Sequence, residues 1–114
     1  MHELSIAIAL IDQIKEIAEE NHLNKIDEVE LQTGFLRQVI PELMLEAFKE
    51  ASRETIAQGA VLKIAEINAL VRCRQCQTTF EPTINDFLCP LCQEADVDIL
   101  QGNDIILASI SCKQ

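Results

Sequence analysis

The sequence predicts an α+β fold, a small sheet packed by two helices and interrupted by an inserted domain built on cysteines. Three observations carry this. Amphipathic helical stretches alternate with strand-like ones through the first two thirds of the chain. Four of five cysteines fall in two short pairs, Cys73-Arg74-Gln75-Cys76 and Cys89-Pro90-Leu91-Cys92. After them comes one more strand, Ile105-Ile106-Leu107-Ala108, apolar on both faces and too greasy for a tiny ribbon to cover. That strand is therefore expected to return to the first sheet. The expected division is residues 1–68 with 104–114 as one α/β domain and 69–103 as the insertion.

The elements follow in order. Residues 4–20 place Ala7, Leu10, Ile11, Ile14, Ile17 and Ala18 on one helical face, with Asp12, Lys15, Glu16, Glu19 and Glu20 opposite. His22 then falls at a solvated helix end. Ile26 to Thr33 alternates as a strand, Val29 and Leu31 to one side and Glu28, Glu30 and Gln32 to the other. Thr33-Gly34 turns the chain. Pro41 opens a second helix, where its missing N–H is not needed, and Met44, Ala47, Phe48 and Ala51 form its buried stripe. From Ala60 to Cys73 the chain is β-rich. Its phase shifts between Ile64 and Ile67, so a bulge or a change of sheet is expected near Glu66. Asp96 to Leu100 is a short strand, Gln101 to Asp104 a turn, and Ile105 to Ser111 the closing strand.

Each cysteine pair brings two thiols to one tight knuckle. Two facing knuckles supply four soft ligands at tetrahedral geometry, which suits zinc. The segment around them has no core of its own, so a metal must supply its stability. Cys73, Cys76, Cys89 and Cys92 are therefore the expected ligands of a closed structural zinc site in a zinc-ribbon-like domain. Cys112 is left over, without a ligand role. Iron is the competing metal. The Cys-Pro-Leu-Cys knuckle resembles one of rubredoxin's, but Gln77 and Gln93 follow the pairs where rubredoxin has Gly. An iron or zinc thiolate protein, either an electron carrier or an interaction module, is the alternative reading.

Net charge is −10, and four thiolates on one divalent ion bring it to about −12. A phosphate-binding surface needs clustered Lys and Arg, so nucleic acid is excluded as a partner. No apolar run approaches membrane-spanning length, and the start of the chain lacks the basic segment of a signal peptide. Reduced thiols add to the expectation of a cytoplasmic protein. No Ser-His-Asp set, phosphate loop or paired-carboxylate constellation is present, so no enzymatic activity is expected.

The opening Met1-His2-Glu3 permits a second metal chemistry. An α-amine, an imidazole and deprotonated backbone amides can lie in one plane, which suits nickel(II) or copper(II) more than tetrahedral zinc. Met1-His2-Glu3-Leu4-Ser5, the helix, strand, helix and strand order, and the two Cys-x-x-Cys pairs together resemble the HypA family of hydrogenase nickel-insertion accessory proteins. The resemblance spans essentially the whole chain. It implies a nickel metallochaperone in which His2 binds the nickel cargo and the four cysteines hold structural zinc. It also implies a partner GTPase of the same pathway (HypB-like) and delivery to the large subunit of [NiFe] hydrogenase, with urease maturation served by some members. Some relatives carry His beside the cysteine pairs. Here Gln77, Thr78, Gln93 and Glu94 stand there, which argues against a histidine-driven pH response of the zinc site.

Overall fold

A computed structural model describes residues 3–83 and 86–112. They form two helices and two three-stranded sheets, divided between two compact units. The first unit comprises residues 1–32, 39–65 and 106–114, the second residues 33–38 and 66–105. The architecture is α+β, as the sequence predicts.

In the first unit, helix α1 (Glu3–Glu20) buries Ala7, Leu10, Ile11, Ile14 and Ala18. Their spacing is that of one helical face, and each fully buried Ile or Leu stabilises the unit by roughly 1.5–3 kcal/mol. The helix stops because His22 takes a left-handed conformation (φ 57°). Leu23 N–H then reaches back to the Ala18 carbonyl (2.8 Å) and satisfies one of the last orphan acceptors. Helix α2 (Pro41–Ala51) packs against α1 and buries Met44 and Phe48. Strand β1 (Glu28–Gly34) is central in the order β2-β1-β6, between β2 (Val61–Ile67) and β6 (Ile105–Ser111). Val29 and Leu31 point into the core, and Glu28, Glu30 and Gln32 away from it, as their alternation dictates. Asp27 N–H donates to the Ser111 carbonyl (2.9 Å), and the Ser109 hydroxyl donates to Glu30 Oε2 (3.1 Å). Residue number falls along β6 as it rises along β1, so the two strands are antiparallel. The last strand thus does return to the first sheet.

The strand's apolar pattern suggests cover on both faces, which the sheet does not supply. Ile106 keeps 48% of its surface exposed, and Ala108 is exposed too. An edge strand of a three-stranded sheet is covered only in part: Ile105 and Leu107 are half-buried, and Ile106 and Ala108 stay open.

The second unit holds β3 (Leu70–Cys73), β4 (Thr79–Phe80) and β5 (Val97–Gln101) in the order β4-β3-β5. Both pairings are antiparallel. Val71 lies opposite Phe80 on one side and Ile99 on the other. The chain leaves the first sheet at Asn68-Ala69, which accounts for the phase shift seen in the sequence, and a further irregularity lies between Leu70 and Val71. Where β1 ends, a 3-10 turn (Phe35–Arg37) belongs to this unit. Gly34 N–H donates to the Asp104 carbonyl and Leu36 N–H to the Gly102 carbonyl, both at 2.8 Å. Three backbone segments cross there with no room between them. A Cβ on Gly34 would sit 2.3 Å from the Gly102 carbonyl carbon, and one on Gly102 would sit 2.5 Å from the Ala69 Cα.

Candidate metal centre

The two knuckles are built alike. Cys73 N–H donates to the Thr78 carbonyl, and Gln77 N–H returns to the Cys73 carbonyl, both at 2.9 Å. In the second knuckle Cys89 N–H donates to the Glu94 carbonyl and Gln93 N–H to the Cys89 carbonyl, again at 2.9 Å. Closing so tight a loop forces the residue after each pair into the left-handed region, Gln77 at φ 66° and Gln93 at φ 59°. That is why glycine is favoured at this position, and why glutamine there costs about 1 kcal/mol or more. Side-chain amides offset part of the strain in the first knuckle, where Gln77 Nε2 donates to the Arg74 carbonyl (3.2 Å).

The four sulfurs of Cys73, Cys76, Cys89 and Cys92 lie within 4.8 Å of one another. Across the knuckles, Cys73 and Cys92 approach to 3.3 Å and Cys76 and Cys89 to 3.5 Å. Four sulfurs each about 2.3 Å from one tetrahedral ion stand about 3.8 Å apart, so the donor set fits zinc with little adjustment. No fifth donor or open position is needed, which makes the site structural and not reactive. Cys73 and Cys89 are fully buried, and Cys76 and Cys92 face the surface. Cys112 lies outside the cluster.

The thiols differ in how readily they ionise. The Thr78 hydroxyl, 3.2 Å from the Cys76 sulfur, and the Thr78 backbone N–H pull Cys76 down to about 6. At Cys92 the Glu94 backbone N–H favours ionisation. It is outweighed by the Cys73 thiol, by desolvation and by the other two thiols, so Cys92 is pushed up to about 12. Zinc must displace any proton still bound. Cys92 thus holds its proton more firmly than Cys76 in the metal-free protein, and zinc binding releases protons. Apparent zinc affinity should therefore rise at least tenfold per pH unit between pH 7 and pH 8, with Cys92 supplying a proton to the solvent. Competition against a chelator at the two pH values checks this, and a pH-independent affinity would contradict the release of protons on binding.

Two supporting groups escape a sequence reading. Arg74 Nε and Nη2 reach Asp98 Oδ1 (2.8 and 2.7 Å), and Nη1 reaches Asp96 Oδ1 (3.0 Å). Arg74 N–H also donates to the Asp96 carbonyl (3.0 Å). The first knuckle is thereby clipped to the start of β5, and the Arg74 hydrogen bond holds the Asp98 carboxyl below its ordinary range. The sequence signal is Asp96-x-Asp98, two carboxylates on one face of a strand, but nothing local says which cation they meet. The second group is Glu3, 7% exposed although it opens a helix.

Among the other sites read from the sequence, His2 lies outside the described residues. His22 is exposed at the far end of α1. Helices of this length place their ends about 25 Å apart, so His22 stands far from the first turn of α1. No helix among the described residues is long and apolar enough to cross a membrane.

A two-helix α+β unit with a four-thiolate ribbon defines a small metal-binding protein, whose candidate metal centre among the described residues is the cysteine cluster. A family model described as hydrogenase/urease nickel incorporation, metallochaperone, HypA, matches residues 1–112. The hydrogenase maturation factor HypA of Chlorobaculum parvum is 38% identical over 111 residues, covering 97% of this chain and 98% of its own. That of Shewanella baltica is 33% identical over 114 residues, covering 100% and 97%. The solution structure of the nickel metallochaperone HypA from Helicobacter pylori matches with a TM-score of 0.73 at 29% identity over 96% of each chain. The chain belongs to the HypA family, a family of nickel metallochaperones for hydrogenase maturation and not of enzymes.

Proposed function

We propose that this protein carries nickel(II) on His2, with backbone nitrogen at the chain start and the Met1 amine completing a planar set. In this reading residues 1–68 and 104–114 serve the cargo, and 69–103 hold zinc on Cys73, Cys76, Cys89 and Cys92. Nickel passes, with a HypB-like GTPase, to the large subunit of [NiFe] hydrogenase, or to urease maturation proteins in the manner of some relatives, all within the cytoplasm. The observation that carries this is the family match across residues 1–112, which includes His2. Ligand chemistry supports it. The thiolate cluster is tetrahedral and closed and suits zinc, so a metal preferring a plane of nitrogens needs a separate site. A shallow surface depression between α1 and α2, lined by Leu4, Leu43, Ala47 and the mixed charges of Glu46, Lys49 and Arg53, offers a protein partner a surface.

Nickel titration of zinc-loaded, untagged protein tests the reading. His2→Ala and an N-terminally extended form should each lose tight nickel binding, while zinc content and fold stay unchanged, because the first residues of a chain contribute little to packing. Equal affinity in all three proteins would place nickel elsewhere.

A further inference from the structure

The ladder between β3 and β5 ends with Cys73 opposite Val97. Beyond that point the chain turns into the first knuckle, yet the tie between the two segments continues. Arg74 N–H donates to the Asp96 carbonyl (3.0 Å). Its side chain holds Asp98 Oδ1 through Nε and Nη2 (2.8 and 2.7 Å) and Asp96 Oδ1 through Nη1 (3.0 Å). Arg74 stands between Cys73 and Cys76, and Asp96 and Asp98 follow Cys92 by four and six residues. The contact therefore joins the first knuckle to the chain that leaves the second. It closes the loop that carries all four cysteines without using the metal.

All three side chains are about half exposed, and a lone surface ion pair contributes little. This one is not lone. A guanidinium shared between two carboxylates and backed by a backbone hydrogen bond is held in one geometry. Removing it would also leave two carboxylates on one strand face with no cation between them, and like charges there repel. A metal–thiolate site comes apart one bond at a time. A knuckle tethered by a second contact keeps a released sulfur at high effective concentration, so the bond re-forms before the next one breaks. We propose that Arg74 is a positioning residue for the zinc site, slowing the loss of metal by tethering the first knuckle to β5 through Asp96 and Asp98. This rests on the reading of Cys73, Cys76, Cys89 and Cys92 as zinc ligands.

The experiment follows zinc transfer from the whole, zinc-loaded chain to a chromogenic chelator. It compares wild type, Arg74→Gln, Arg74→Lys, the double variant Asp96→Ala/Asp98→Ala, and that double variant combined with Arg74→Gln. Zinc content and amide spectra before the chelator is added check loading and fold, with Cys89→Ala as the zinc-free control. Arg74→Gln should release zinc about tenfold faster, the scale usual for groups that support a metal ligand from outside. The aspartate variant should act in the same direction. Combining it with Arg74→Gln should add nothing, because one contact cannot be lost twice. Arg74→Lys keeps the charge without the fork and should fall between wild type and Arg74→Gln. It also supplies the comparison if Arg74→Gln sheds its zinc during purification. A wild-type rate in Arg74→Lys, or slower release from the aspartate variant, would show that Arg74 acts by its charge alone and overturn the proposal. A wild-type rate in Arg74→Gln would overturn it too. In each of those cases zinc present in wild type and absent from Cys89→Ala keeps the four-cysteine reading standing, whereas equal zinc in both removes that reading and the proposal with it.

Discussion

Cys89→Ala should release the zinc and unfold residues 66–105, leaving the two-helix unit folded. The cause is the distribution of buried apolar groups. In the first unit Leu10, Ile11, Ile14, Val29, Leu31, Met44 and Phe48 are all buried. In the second, the buried apolar side chains among the described residues are Ala69, Val71, Pro82 and the two cysteines Cys73 and Cys89. So small a set cannot offset the conformational entropy of ordering the segment. Zinc held by four thiolates supplies on the order of 10 kcal/mol, so its loss exceeds any packing effect available there. Cys76→Ala should behave in the same way despite its surface position, because the ligand count and not the burial sets the energy. Metal analysis together with backbone amide spectra checks both. Stoichiometric zinc, or native shifts throughout 66–105, would contradict the assignment.

The second large effect is expected at Gly102. Its φ is +94°, and an added Cβ would stand 2.5 Å from the Ala69 Cα, 2.9 Å from the Ala69 nitrogen and 2.9 Å from the Asn68 carbonyl oxygen. All three are backbone atoms, which cannot swing aside as a side chain would. Gly102→Ala should cost about 3 kcal/mol or more, combining overpacking with left-handed strain. Gly59 is the control. Its φ is +81°, but nothing lies within 4 Å of an added Cβ, so Gly59→Ala should cost only about 1 kcal/mol. Denaturant titration of the two zinc-loaded variants gives the comparison, and equal losses would show that the backbone crossing is not rigid.

The sequence made some features legible and hid others for physical reasons. The cysteine knuckles are local, so spacing alone reveals them. Helix α1 is long enough for its period to be plain, and a strand as apolar as Ile105 to Ala108 announces that it belongs with a larger sheet. The two-sided apolar pattern misled only in degree, since a strand at a sheet edge tolerates a half-exposed Ile106. What stayed hidden depends on distant pairings. Arg74 meets Asp98 across 24 residues and Glu3 meets Ile40 across 37. Neither spacing belongs to a helix or a hairpin, so no periodicity points to it. The crossing of Gly34, Gly102 and Ala69 is hidden likewise, because a glycine reads as a turn wherever it stands. The left-handed Gln77 and Gln93 run against local preference, and only the closed knuckle explains them.

The order of strands carries a further consequence. β6 completes the sheet around β1, yet residues 68–104 must be threaded out and back before it arrives. Bringing the ends of that excursion together costs chain entropy that grows with the length left free. An ion joining Cys73 to Cys92 clips most of the excursion into a closed ring and leaves only short arms to be gathered. Zinc thereby lowers the cost of assembling a sheet that contributes none of its ligands apart from the chain it shares. The metal is a folding aid for the two-helix unit as well as the staple of its own.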